Sequence, residues 1–347
     1  MVYDSADLTQ GEEGELEEAL FQCPRQASTW GNLAVTGLTL GSLYAMIAMG
    51  YTLVYGVLQL LNFAHSEVFM IGTFGGLYGL VWLGVEEPIA GIGLIVTLTL
   101  AFIPAMFFAG LTAVTMERLA YRPLRRHGTS RLAYLITAIG VSLFLSNLFS
   151  LLDGQPHLGL PFDWPAIAGR APLRYPIPMR RVEAFTLGGV RVDNLQILVV
   201  TVSIGMMFLL DRFVSKTRMG LGIRSVAEDP ETASIMGVNA NRVISLTFFV
   251  GGLMAGAAGL MYGIFFKQTQ FNVGFIPGIK AFTAAVLGGI GNIRGAAVGG
   301  FTLGLVENLG SACIGLQWRD VLAFSVLVLV LMFRPTGLLG ERVGKRA

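Results

Sequence analysis

Charged side chains are scarce in this sequence, since aspartate, glutamate, lysine and arginine make up 13% of its 347 residues. Soluble domains carry about a quarter of their residues as these four types. The net charge is +2 at pH 7, and there are three histidines. Without a basic patch or stripe, nucleic-acid binding is not expected. With so few histidines, a metal site or a general-base cluster is not expected either.

Nucleotide-binding motifs are also missing. The nearest approach to a G-x-x-x-x-G-K-[ST] phosphate loop is Gly344-Lys345, which Arg346 follows and the rest of the pattern does not precede. The G-x-G-x-x-G pattern fails because Arg294 stands where a third glycine would have to follow Gly289 and Gly291. No nucleotide site is therefore recognisable, and neither a catalytic residue nor a cofactor is predicted within this chain.

Cysteine occurs twice, as Cys23 and Cys313. The two residues are far apart and lack the spacing of a metal or redox site, so no disulfide framework can be inferred. Both cysteines are predicted to be unpaired.

The first 30 residues form a polar, acidic N-terminal tail that contains a cluster of glutamates. This tail lacks the basic start, the short apolar core and the cleavage site of a signal peptide. We expect residues 1–30 to be a disordered or peripheral tail.

Apolar residues dominate the remainder, with 54% hydrophobic residues and 45 glycines overall. A membrane-spanning helix needs about 20 mostly apolar residues, and the apolar runs are too long and continuous for barrel strands. The sequence predicts an all-α, polytopic transmembrane helical bundle over residues 31–340, with roughly eight to ten spans. Breaks within the membrane are expected at 56–66 and 286–300. The candidate spans are 31–55, 62–84, 88–115, 131–152, 194–211, 243–266, 276–292, 295–313 and 319–335.

The distribution of lysine and arginine in short loops predicts the orientation. Segment 117–131 and the C-terminal tail 341–347 are basic, and both are expected in the cytoplasm. The acidic loop 84–88 is expected outside. The proline-rich segment 153–193 is predicted to be an irregular extracytoplasmic loop, and 212–242 to be a cytoplasmic loop. Counting spans backwards puts the N-terminus outside, unless the first break is a re-entrant turn.

A polar run from Asn62 to Glu67 lies between two apolar stretches. Ionisable groups within a membrane are costly and usually face a cavity, the bundle interior or each other. Asn62 and His65 would share one face of a continuous helix. Two interpretations stand: the run lines a polar path through the membrane, or it is a wet interfacial loop whose side chains cap helices. Candidate path residues here are Asn62, His65 and Glu67.

Glycines recur four residues apart along the apolar runs. Small residues at this spacing let helix backbones approach closely, so helix packing is the favoured role for Gly291, Gly295, Gly299, Gly252 and Gly256. The alternative is a broken helix that exposes backbone groups to a bound solute. The candidates for such a break are Gly289, Gly291 and Asn292.

The 212–242 loop contains the signals of a short helix. Asp229 can cap a helix that starts at Pro230, Glu231 lies near the positive end of its dipole, and Gly237 can end it. So short a helix needs a surface to pack on. It is either a coupling helix that docks into another protein or part of a solvated linker. The candidate docking residues are Arg224, Ala227, Glu228, Asp229, Ala233 and Gly237.

Several stretches now become recognisable, and they occur in order along the chain. They are Gly41–Ala45, Gly50–Gly56, Asn62–Glu67, Arg224–Gly237, Leu287–Asn292 and Arg334–Gly340. Together they resemble the inner-membrane permeases of branched-chain amino-acid ABC importers over residues 31–340. The chain departs from that family at Ser66, where glycine is usual between His65 and Glu67. Its acidic tail and 153–193 loop are also longer than expected.

The resemblance implies a permease subunit of an ATP-driven importer for leucine, isoleucine and valine, spanning the plasma (inner) membrane several times. It implies a second homologous permease, two cytoplasmic ATPase subunits and an extracytoplasmic substrate-binding protein as partners. ATP and Mg would be bound by the ATPase subunits, so this chain would not itself be an enzyme. Segment 224–237 would be the coupling helix, and Asn62, His65 and Glu67 would lie on the substrate path.

Alternatives remain open from the sequence. Related permeases for urea, short amides or other amino acids share these motifs. An ion-coupled secondary transporter would need no ATPase and would use carboxylates such as Glu67 and Glu307. A membrane protein without transport activity is disfavoured by the polar residues at apparent membrane depth.

Overall fold

A computed structural model describes residue 23 and residues 26–60, 62–151, 171–334 and 336–340. Most of the predicted N-terminal tail, residues 153–170 of the predicted long loop and the tail 341–347 lie outside the described residues. The described chain is mainly helical, as predicted. Its helices are α1 (Ala27–Leu58), α2 (His65–Trp82), α3 (Ile92–Met116), α4 (Arg122–Arg126), α5 (Arg131–Leu151), α6 (Asn194–Lys216), α7 (Arg218–Glu228), α8 (Pro230–Ile235), α9 (Ala240–Phe266), α10 (Phe275–Gly288), α11 (Ile293–Ile314) and α12 (Arg319–Phe333).

Each of the nine predicted spans corresponds to one of these helices. Within the described residues, seven helical segments are long and apolar enough to cross a membrane. One of them joins α3 to α4 through a π-helical turn at Glu117–Tyr121. The other two predicted spans, α2 and α10, fall short of this hydropathy or length for physical reasons. The polar start of α2 lowers its mean hydropathy, and α10 has 14 residues, which is too short for a full crossing.

The bundle is layered around two central helices. In α1 and α9, 72% of the most apolar window is buried, against 11% in α5 and 6% in the segment that contains α12. Helix α1 packs along α11, and α9 packs on α2 and α3. The outer helices expose large apolar side chains such as Phe144 and Phe208. Such exposed surfaces suit contact with lipid or with another membrane subunit.

Glycines make the close helix crossings possible, and four of the five glycines with a predicted packing role lie at such crossings. A methyl group at Gly252 would overlap the backbone of Gly110, and one at Gly256 would overlap that of Ala105. These contacts join α9 to α3. Gly295 and Gly299 likewise leave no room for a side chain, because the backbone of α10 passes directly against them.

Gly291 is the exception, and the packing role predicted for it is wrong. A methyl group there would meet no described atom within 4 Å, but φ is +98°. This left-handed backbone conformation strains any other residue. Gly291 is therefore required by the turn between α10 and α11 rather than by a helix contact.

Short strands cover one end of the bundle. Strand β1 (Leu173–Arg174) pairs with β4 (Gln268–Thr269), and β2 (Glu183–Leu187) forms a hairpin with β3 (Val190–Asp193). The described part of the 153–193 loop is therefore more regular than predicted. Contacts with distant parts of the chain explain this regularity. Strand β1 pairs with β4, which follows α9. The backbone N–H of Arg191 donates to the Asn32 side chain on α1.

The prediction that both cysteines are unpaired is wrong, because Cys23 and Cys313 form a disulfide. Their separation of 290 residues hides this pairing in the sequence. Helices α1 and α11 run antiparallel, with Gly41 against Gly300 and Gly37 against Gly304. The start of α1 therefore meets the end of α11, and the two sulfur atoms come together there.

Candidate functional site: a cavity where two helices begin inside the bundle

Helix α2 begins within the bundle rather than at its end. Its first residue, His65, packs against Gly50, which lies eight residues before the last residue of α1, Leu58. The chain leaves α1 through Gln59, whose φ is 52°, and turns back so that the His65 N–H donates to the Asn62 carbonyl over 3.1 Å. The predicted break at 56–66 is therefore present, and Asn62 and His65 do not share one continuous helix.

Helix α10 also begins inside the bundle, beside the start of α2. Gly274 and Gly278 pack directly on Ser66, and neither could carry a side chain without overlap. The Ser66 hydroxyl donates to the Phe63 carbonyl over 2.7 Å, so the unusual serine fits a helical backbone at this position. Two helix N-termini, each carrying about half a positive charge, thus meet in the interior.

A cavity of about 620 Å³ lies where α2, α5 and α10 meet. Small-molecule sites commonly enclose about 300–1,000 Å³. The wall is mainly apolar, with a smaller polar part. Its apolar lining residues are Phe63, Ile139, Leu143, Phe275, Ile276 and Ile279, and its polar ones are Tyr51, Ser66, Glu67, Ser142, Ser146 and Asn272.

Glu67 is the charged residue of this wall, and it is 2% exposed. Its Oε1 accepts a hydrogen bond from the Ser142 hydroxyl at 3.0 Å, and the Ser66 hydroxyl, which donates to Phe63, lies 3.4 Å from the same oxygen. Its Oε2 is buried and has no hydrogen-bond partner within the described part of the chain. An unpaired buried carboxylate oxygen is costly, which is typical of a group that takes a partner from outside the chain.

Aromatic rings separate this cavity from a second, smaller space. Phe282 lies 6.3 Å from Tyr51 and 5.9 Å from Phe63, measured between ring centroids. Beyond them is a void of about 10 Å³, which Tyr51 and Phe282 also line together with Asn62. The Asn62 side-chain oxygen Oδ1 accepts a 2.7 Å hydrogen bond from the Tyr121 hydroxyl. Tyr51 and Phe282 thus stand between the two spaces.

The remaining path candidates lie elsewhere. The His65 ring packs edge-on against Tyr51 at 4.6 Å and lies behind it. Gly289 contacts Gly337 and Gly340 near the C-terminal end of the described chain. Asn292 caps α11, because its side chain accepts from the Gly295 N–H at 3.0 Å. The predicted break is observed, since α10 ends at Gly288 and α11 begins at Ile293.

The predicted docking segment is formed by α7 and α8, which pack against each other. Asp229 caps α8 as predicted, accepting from the Glu231 N–H at 3.0 Å, and Gly237 has a φ of +86° just after it. A groove of about 650 Å³ runs between the two helices. Ile235 and Met236 are exposed to 85% and 78%.

The other predicted docking residues divide between the two sides of this segment. Ala233 is buried beneath the exposed pair, and Ala227 is partly buried. Arg224 donates to the Ser215 carbonyl at 3.4 Å, and Glu228 lines the groove. The exposed apolar surface therefore belongs to Ile235 and Met236 rather than to Ala233.

Sequence reasoning missed the part of the cavity that comes from α5 and α10. Ser142 and Ser146 lie four residues apart in an apolar run, a spacing that places both on one helix face. That pattern could have identified them. Tyr51 and Phe282 carried no comparable signal, because aromatic residues are ordinary constituents of a helix core.

Comparison with known proteins gives a consistent result. The family model described as "Branched-chain amino acid transport system / permease component" matches residues 33–331. The chain is 40% identical over 310 residues to the high-affinity branched-chain amino acid transport system permease protein BraD of Pseudomonas aeruginosa, covering 88% of this chain and 94% of that one. The same identity and coverage hold for LivH of Escherichia coli K12. A probable LivH of Methanocaldococcus jannaschii is 23% identical over 309 residues, with 86% and 89% covered.

Proposed function

Because this chain belongs to the branched-chain amino acid transport permease family, we propose that it is a transmembrane permease subunit of an ATP-driven importer for leucine, isoleucine and valine. The observation that carries this proposal is the 40% identity to permeases of that name over 310 residues, including nearly the whole described bundle. The proposed assembly adds a second permease, two cytoplasmic ATPase subunits that bind ATP and Mg, and an extracytoplasmic binding protein.

We propose that the multi-pass bundle lies in the plasma membrane with α7 and α8 in the cytoplasm. Arg122 and Arg125 lie at the same end of the bundle as that segment, since Arg125 donates to Asn241 in the first turn of α9, which follows α8 in the chain. Basic residues favour the cytoplasmic side. The disulfide and the β2–β3 hairpin lie at the opposite end, and disulfides persist in oxidising compartments such as the bacterial periplasm.

The exposed surface of α7 and α8 is the proposed contact with an ATPase subunit. Helix α8 has two turns at most and is held by its Asp229 cap and by α7. A displacement of α8 would therefore move α7, which in turn contacts α6. Large apolar side chains in water are unfavourable, and docking would bury Ile235 and Met236. This arrangement supports the coupling role proposed for residues 224–237.

The proposed substrate path runs through the 620 Å³ cavity, past Tyr51 and Phe282, towards the space lined by Asn62. The ring contacts close the path towards the cytoplasm in this conformation. Alternating access requires that substrate and nucleotide favour different states of the bundle. Movement of α10 relative to α1 would separate Phe282 from Tyr51 and open the path.

Uptake of labelled leucine tests the proposal. Cells that lack the gene, with and without its restoration, are given excess unlabelled isoleucine, valine or urea. Restored uptake that isoleucine and valine suppress, but urea does not, is the expected result. Uptake of urea or another solute that depends on the gene, without any effect on leucine, would contradict the proposed substrate.

ATP coupling is tested separately by adding an uncoupler while ATP is held constant. Uptake should continue. Glu307 is a weaker candidate for ion coupling than Glu67, because its Oε1 is already paired with Lys280 at 2.7 Å and with Arg319 at 2.7 Å. A collapse of uptake under these conditions would instead favour an ion-coupled mechanism through Glu67.

A further inference from the structure

We infer that the cavity between α2, α5 and α10 is an amino-acid site within the membrane, in which the Glu67 carboxylate receives the substrate's ammonium group. This inference rests on the proposed function and adds to it a binding step in this chain. It assigns part of the selectivity to the permease rather than to a separate binding protein alone. Its substrate class is a zwitterionic α-amino acid with an aliphatic side chain.

The carboxylate is arranged to accept one more donor. Ser142 donates to Oε1 and holds the side chain, whereas the Ser66 hydroxyl donates to the Phe63 carbonyl, and Oε2 has no partner within the described chain. The Glu67 residue is buried, with 2% of its surface exposed. A cationic group is the partner that best compensates a buried carboxylate, and charge-assisted hydrogen bonds of this kind are about twice as strong as neutral ones.

The carboxylate of the substrate would also have partners in the cavity, at the start of α10. Helix α10 begins at Phe275 in the cavity wall, and Gly274 before it offers no side-chain cap. The Phe275 N–H already donates to the Asn272 carbonyl at 3.3 Å, and Pro277 has no N–H. The Ile276 N–H and the helix dipole therefore favour an anion such as a carboxylate. Asn272 lines the same part of the cavity and can donate a further hydrogen bond.

The remaining wall suits an aliphatic side chain. Ile139 and Leu143 from α5 face Ile276 and Ile279 from α10. Transfer of an aliphatic side chain from water into such a wall is favourable in proportion to the apolar area that is buried. Among the described lining residues no lysine or arginine competes for Glu67, so a solute with an ammonium group is preferred over an uncharged amide.

A cysteine-accessibility experiment tests this site. The complete transporter is reconstituted in liposomes with Ser146→Cys in this chain, and the cavity thiol reacts with methanethiosulfonate reagents that carry either an ammonium or a sulfonate group. The native cysteines are in the disulfide and do not react. Rates are measured with and without leucine, 3-methylbutylamine or 4-methylpentanoate.

Leucine and 3-methylbutylamine should each slow the reaction, whereas 4-methylpentanoate, which lacks the ammonium group, should not. The ammonium reagent should react at least about tenfold faster than the sulfonate reagent, since a cleft of one charge concentrates the opposite one. Glu67→Gln should remove both the protection and this preference. The matched change Glu87→Gln, at an exposed site in the loop before α3, should alter neither.

Equal reaction rates with and without saturating leucine, in a transporter that imports leucine when the binding protein is added, would overturn the site and leave the proposed function standing. Protection that persists in the Glu67→Gln variant would overturn the role of the carboxylate. Failure of the unmodified transporter to import leucine would instead contradict the proposed function.

Discussion

The Lys280 ammonium group on α10 lies 2.7 Å from the Glu307 carboxylate on α11, and both side chains are buried. Arg319 and Asp320 at the start of α12 complete the cluster, because Arg319 is 2.7 Å from Glu307 and Asp320 is 2.6 Å from Lys280. Two cations thus balance two anions. The cluster fixes α10, α11 and α12 relative to one another, and α10 carries part of the cavity wall.

Removing one member of this cluster should destabilise the protein strongly. Glu307→Gln leaves the buried Lys280 and the partly exposed Arg319 with one carboxylate, and loss of one partner of a buried ion pair costs about 3–5 kcal/mol. We expect a lower melting temperature in detergent. The double variant Glu307→Gln, Lys280→Met should cost less than the sum of the two single changes, and additive effects in the thermal measurements would contradict the coupling.

The crossing of α1 and α11 should tolerate no added methyl group. A side chain at Gly304 would overlap the backbone of Gly41, so Gly304→Ala should destabilise by about 1–3 kcal/mol, as overpacking does elsewhere. Gly205→Ala is the matched control, because a methyl group at Gly205 would meet no described atom within 4 Å and the residue lies in the exposed middle of α6. It should be neutral or stabilise by up to about 1 kcal/mol. Thermal unfolding of both variants distinguishes the two effects.

A charge at the exposed surface of α8 should break coupling. Ile235→Asp should lower co-purification of the ATPase subunits and substrate-stimulated ATP hydrolysis by about tenfold or more, because burial of a charge at an interface is costly. The level of this chain in the membrane should stay unchanged, since Ile235 is 85% exposed. Ile235→Met keeps an apolar side chain and should retain both activities.

The cap of α8 offers a second test of the same surface. The combined change Glu228→Ala, Asp229→Ala removes the side chain that accepts from the Glu231 N–H, and loss of such a cap typically costs about 1 kcal/mol. Substrate-stimulated ATP hydrolysis should fall. If it stays at the level of the unmodified transporter, residues 224–237 are not the coupling segment.

The ring contact between Phe282 and Tyr51 should limit passage from the cavity towards the cytoplasm. Phe282→Ala removes it and should raise leucine movement across the membrane in the absence of ATP. Phe282→Leu keeps much of the bulk and should leak less. A leak equal in all three proteins would show that these rings are not the barrier.

The disulfide should be visible by thiol labelling from outside the cell. A membrane-impermeant maleimide should label neither Cys23 nor Cys313 before reduction and both after it. Loss of the bond through Cys23→Ser should lower stability by about 2–4 kcal/mol. Labelling of untreated protein from outside would show that the two thiols are not joined.

The all-α membrane architecture, the order of the helices and the places where they break could all be predicted from the sequence. These features are local, because apolar run length, capping residues and glycine spacing act through neighbours along the chain. The Asp229 cap, the turn at Gly237 and the break after Gly288 were predictable for this reason.

The residues that meet across the bundle could not be predicted in this way, because they depend on how the helices pack. The pairing of Cys23 with Cys313, the partnership of Lys280 with Glu307 and the meeting of Glu67 with Ser142 join residues from distant parts of the chain. Such contacts depend on how the helices cross and on the depth within the bundle at which each helix begins. Short sequence patterns predict neither of these. The cavity exists because α2 and α10 both begin inside the bundle, and a single sequence cannot show that their starts coincide.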